Sequence, residues 1–206
     1  MTRDELLDDL AYARTLAEEG RHAPLLGGGY LALFGALNLC AFSVQWALLT
    51  EQLPALGGSA FACLWVSYSV LAGIGIAMLR LRTSRKPGLG AIGARAERAI
   101  WSGAAMALGA IALGSIARMP LTHDTDAPNA ILGGAFALYG AALYATSKLS
   151  QQAWMSAFAW LSIAVAAALC VFANETWAYL VAAAGSALVL LWPGLILMRR
   201  EPSALA

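Results

Sequence analysis

Apolar and polar residues fall along this chain in long blocks rather than at the short periods of a soluble fold. Residues 25–49, LLGGGYLALFGALNLCAFSVQWALL, form twenty-five consecutive positions without a charge. That is enough helix to cross a hydrocarbon core of about 30 Å. Pro24 precedes the block, at a position where a missing N–H costs a helix little. Five further apolar blocks follow, at about 58–79, 99–117, 130–146, 154–173 and 177–198, separated by short polar joints. The pattern predicts an all-α integral membrane protein with six transmembrane helices, with Trp192-Pro193-Gly194 kinking the sixth.

Ahead of the spans, residues 3–19 carry a different pattern. Leu6, Leu10, Ala13 and Ala17 recur at spacings of four, three and four, which gives one narrow apolar stripe on a helix. Thr2 and Glu5 form a capping box, and Gly20 is a natural stop. The polar face is acidic, with Asp4, Glu5, Asp8, Asp9, Glu18 and Glu19 against Arg3, Arg14 and Arg21. A helix lying on anionic lipid would show a basic face, so this one is expected to contact protein. The expected division is a cytoplasmic acidic amphipathic helix over 1–22, a six-helix transmembrane domain over 23–199, and a short cytoplasmic tail over 200–206.

Composition agrees with this division. Of 206 residues, 60% are hydrophobic and 12% charged, against about 25% charged in soluble domains. The charges are segregated. With the N-terminus inside, twelve of the thirteen Lys and Arg residues fall on the inner side and only Arg118 falls outside, in accord with the positive-inside rule. The expected location is a cell membrane, taken as a bacterial inner membrane, with both termini cytoplasmic. Between the second and third spans, Arg80, Arg82, Arg85, Lys86, Arg95 and Arg98 are expected in an inner loop that meets lipid headgroups or docks the acidic helix.

An internal echo raises a further expectation. If Leu31 is skipped, residues 26–36 align with 132–141 through seven identities, Gly28 with Gly134 and Gly35 with Gly140 among them. Ser-Ala-Phe-Ala recurs at 59–62 and 156–159, and Trp101 and Trp177 each precede a glycine by eight residues. Three spans per copy would invert the second copy, giving a 3+3 inverted repeat. Chance matching among common Gly, Ala and Leu is the alternative, and the one-residue gap would rotate a helix face by about 100°.

Candidate chemistry is sparse. No catalytic constellation, cofactor motif or nucleic-acid signature is present, and no metal site is expected: His22 and His123 lie on opposite sides, leaving His123 with Asp124 and Asp126 as the one weak grouping. Cys40, Cys63 and Cys170 sit inside apolar blocks and are expected to be small buried hydrophobes. Within the spans, Asn38 and Gln45 are seven residues apart and share a helix face with Gly28 and Gly35, and Tyr68 extends the polar set. This stripe either lines a solute path or fixes helix packing by interhelical hydrogen bonds, and packing is preferred because such bonds are common in bundles. Gly28, Gly35, Gly109, Gly114, Gly133 and Gly140 are expected to permit close helix contact.

The expected function is therefore non-enzymatic. It is a binding or accessory role, in assembly or regulation, with membrane lipid and a protein partner met through residues 1–20. A small-solute channel or uniporter built on the inverted repeat is the competing reading. Oligomerisation is left open.

Overall fold

The computed structural model describes Tyr12 and residues 27–53, 59–84 and 92–200. The proposed amphipathic helix with Asp4, Glu5, Asp8 and Asp9, and Arg85 and Lys86, lie outside the described residues. Those that are described form six helices long and apolar enough to cross a membrane, and no strand. They are α1 (Gly28–Leu49), α2 (Ser59–Thr83), α3 (Ile92–Thr122), α4 (Ala130–Leu149), α5 (Ala153–Val171) and α6 (Ala178–Arg200). Without water to satisfy backbone groups, an apolar segment in a bilayer closes its hydrogen bonds internally, so each block becomes one helix.

Two helix ends differ from expectation. α2 runs on to Thr83 and α3 begins at Ile92, so Arg80, Arg82, Arg95 and Arg98 stand on helices rather than in a long loop. Helix propensity carries α3 across its charged beginning, and Arg98 Nε donates to the Ala94 carbonyl at 3.2 Å. In α6 the irregularity precedes Pro193. Residues Ala187–Leu191 form a wide π turn, and regular helix resumes at Trp192. Pro193 has no N–H for the preceding turn and crowds it, and the widened turn accommodates both defects.

The core lies among α1, α4, α5 and α6. One apolar cluster joins Phe42, Leu132, Phe136, Leu169 and Tyr179, and a second joins Leu31, Leu143, Met155, Val189, Leu190 and Leu197. α4 packs along α5, and α1 packs along α6. Against this four-helix centre, α2 leans on α1 and α3 leans on α4. Both flanking helices turn most of their surface outward, and none of the apolar stretch of α3 is buried.

Successive helices run in opposite directions, which gathers charges at two ends. Arg80, Arg82, Arg95, Arg98, Lys148, Arg199 and Arg200 collect at one end, called the basic face. Arg200 lies 5.3 Å from the Trp154 ring centroid there, and Glu97 is buried beside Gly27. The opposite, acidic face carries Glu51, Asp124, Asp126 and Glu175, together with Arg118.

Candidate functional site

The polar side chains within the spans meet one another. Tyr68 of α2 donates its hydroxyl to Asn38 Oδ1 of α1 at 2.7 Å, and Tyr139 of α4 lies close enough to interact with the same amide. Asn38 is only 3% exposed, so its amide is enclosed by three helices. Two turns toward the acidic face, Trp65 Nε1 donates to Gln45 Oε1 at 3.0 Å, and Tyr179 of α6 lies close enough to interact with Gln45 as well. The spacing of seven puts both amides of α1 on one face, and the aromatic donors of α2 match them three residues apart. Asn38, Gln45 and Tyr68 were thus readable from sequence. Tyr139 and Tyr179 were not, since aromatic residues at such positions look like ordinary core.

The network continues to the acidic face. Tyr179 donates to Asn129 Oδ1 at 2.6 Å, and Asn129 Nδ2 donates to Asn174 Oδ1 at 3.3 Å. These amides border an open cleft of about 290 Å³ between the ends of α3, α4 and α5. Its upper wall carries Arg118, Asp124 and Asp126, and its floor is Gly133, Leu169 and Cys170. Arg118 Nη2 pairs with Asp124 Oδ2 at 2.9 Å, while Asp124 Oδ1 accepts the backbone N–H of Asp126 at 3.1 Å. Asn129 and Asn174 fall in the polar joints between apolar blocks. The available signal was topological, since both fall at the same end of their spans as Asp124 and Asp126.

The six singled-out glycines separate into two groups. A Cβ on Gly35 would overlap the Leu191 backbone of α6, and the Gly28 carbonyl lies 3.0 Å from where a Cβ on Gly194 would stand. Gly133 and Gly140 are closed in by α5, through Cys170 and through Ile163 with the Ala159 carbonyl. Gly109 and Gly114 differ. A Cβ at either would meet nothing within 4 Å, so no described residue of this chain packs against them. The cause is the outward position of α3.

Other sequence-named groups do not assemble. Among the described residues no three His, Cys, Asp or Glu are placed to hold a metal ion. Cys40, Cys63 and Cys170 are free and exposed rather than buried, Cys170 at the cleft beside Gly133. Two buried hydroxyls, Thr146 Oγ1 and Ser186 Oγ, have no hydrogen-bond partner among the described residues. No family model matches the chain, and no curated protein or solved structure shows significant similarity to it.

Proposed function

We propose that this chain is a non-enzymatic multi-pass membrane protein with a binding or accessory role, whose acidic segment 1–20 meets a protein partner in the cytoplasm. The observation that carries this reading is the enclosure of Asn38. A solute path needs polar groups free to replace the water a solute leaves behind. Asn38 is instead 3% exposed, with its carbonyl taken by Tyr68 and its amide beside Tyr139. The intramembrane amides hold helices together, and the acidic segment supplies the unused recognition chemistry. Co-purification from membranes with and without residues 1–20 tests the role: the folded truncated protein loses its partner. Retention of the same partner by the truncated protein rejects it.

A small-solute channel or uniporter is the second reading, favoured by the cleft on the acidic face and the amide-aromatic chain from Asn174 to Gln45. Cysteine substitutions at Asn38 and Gln45, in a background lacking Cys40, Cys63 and Cys170, discriminate the two. Labelling of N38C by a water-soluble maleimide favours the path, and protection favours packing.

The 3+3 inverted repeat is part of the same proposal. Exchange of the halves turns the α1–α2 and α1–α6 contacts into α4–α5 and α4–α3, and all four occur. Gly28 faces Gly194 of α6, and its counterpart Gly134 faces Ile111 of α3. At two other pairs the correspondence fails: Gly27 meets Glu97 of α3 whereas Gly133 meets Cys170 of α5, and Gly35 faces α6 whereas Gly140 faces α5. The one-residue gap at Leu31, which rotates a helix face by about 100°, precedes only the second of these pairs.

A further inference from the structure

We propose that the cleft on the acidic face binds a zwitterion that carries both a primary ammonium and an anionic oxygen group, of the phosphoethanolamine type. The inference does not depend on the accessory role.

It follows from which polar groups in the cleft are already used. Asp124 is consumed, one carboxylate oxygen by Arg118 and the other by the Asp126 backbone. Asp126 borders the same cleft, and its carboxylate has no hydrogen bond or ion pair among the described residues. It is the acceptor left over for an ammonium. The donors are equally defined. Tyr179 donates to Asn129, and Asn129 donates through Nδ2 to Asn174 Oδ1, which fixes both amide orientations. The chain therefore ends in the Asn174 Nδ2 donor at the cleft wall. Arg118 adds the N–H groups that Asp124 does not take, and its side chain is 62% exposed. One carboxylate beside two donor groups complements a molecule bearing both charges. A simple anion would face Asp126, and a simple cation would leave the Arg118 and Asn174 N–H groups in the cleft without an acceptor.

Volume and wall chemistry narrow the class. A space of about 290 Å³ is at the small end for ligand sites, which run from about 300 Å³ upward, so it suits a headgroup or an amino acid. The floor of Gly133, Leu169 and Cys170 belongs to the apolar ends of α4 and α5, which begin at Ala130 and end at Val171. Polar groups above an apolar floor match a phospholipid at the level where its headgroup meets its glycerol. A soluble zwitterion presents the same two groups, so the test has two arms.

The full chain is placed in nanodiscs of phosphatidylethanolamine mixed equally with phosphatidylcholine, and retained lipid is read by native mass spectrometry. Choline keeps the phosphate but has no N–H for Asp126. In parallel, detergent-purified protein is titrated with glycerophosphoethanolamine and with glycerophosphocholine. Preference for the ethanolamine form in the nanodisc arm assigns a lipid, and preference in the soluble arm alone assigns a free zwitterion. Either supports the site if D126N lowers the preference roughly tenfold, the cost of one hydrogen bond to a charge. N174A is the second variant and should weaken retention without altering the thermal unfolding profile. Equal binding of ethanolamine and choline forms in both arms, or an undiminished preference in D126N, overturns the proposal.

Discussion

Gly194 of α6 lies directly against Ala32 of α1: a Cβ at position 194 would stand 2.5 Å from the Ala32 nitrogen and 3.0 Å from its Cα. The obstruction is backbone, which a rotamer change cannot relieve. G194A should therefore force the two helices apart and destabilise the bundle by roughly 1–3 kcal/mol, the usual range for overpacking. G109A, placed where a Cβ meets nothing within 4 Å, should stay within about 0.5 kcal/mol of the parent. Unfolding of both variants in mixed micelles checks the contrast.

The Tyr68–Asn38 hydrogen bond joins α2 to the core at 2.7 Å. Interhelical bonds of this kind contribute about 0.6 kcal/mol on average in membranes, with a maximum near 1.7. Because Asn38 is buried and also adjoins Tyr139, Y68F should fall in the upper part of that range. A double-mutant cycle of Y68F with N38L isolates the coupling. Zero coupling would mean that the bond does not anchor α2.

Much of this architecture was legible in the sequence because a bilayer imposes one rule on every span. An uncharged block must be helical and about twenty residues long, so six blocks became six helices. Asn38 and Gln45 were found because their spacing of seven places them on one face. What sequence could not supply was the rotation of each helix about its own axis. Cys40, Cys63 and Cys170 look the same from sequence whether buried or exposed, and all three are exposed. Gly109 and Gly114 carry the spacing of a packing motif yet meet no other helix among the described residues, since the pattern records close-contact capacity and not its use. Asn129 and Asn174 lie 45 residues apart and meet only through the fold.

Three buried hydroxyls should respond differently to removal. Ser162 Oγ donates to the Phe136 carbonyl at 2.7 Å, between α5 and α4. S162A loses that bond and should cost about 0.5–1.5 kcal/mol. Thr146 Oγ1 and Ser186 Oγ have no partner among the described residues, so each already carries an uncompensated desolvation penalty. T146V, nearly isosteric, and S186A should be neutral or stabilising. A lower unfolding temperature for T146V than for S162A would contradict the assignment.

Gly35 and Gly140 occupy matching places in the two half-sequences, but their neighbours predict opposite responses to a compensating change. A Cβ on Gly140 would meet Ile163 Cγ1 at 2.7 Å and the Ala159 carbonyl at 3.1 Å, so its tightest obstacle is a side-chain carbon rather than backbone. A Cβ on Gly35 would overlap the Leu191 backbone nitrogen and approach its Cα at 2.7 Å. Shortening the neighbour should therefore rescue one site only. I163A should restore a large part of the stability lost in G140A, giving a coupling of roughly 0.5–3 kcal/mol in the double-mutant cycle. L191A should leave G35A unrescued, because deleting a side chain does not move a backbone. Equal rescue at both sites would mean that α1 and α6 separate more readily than their backbone contact implies.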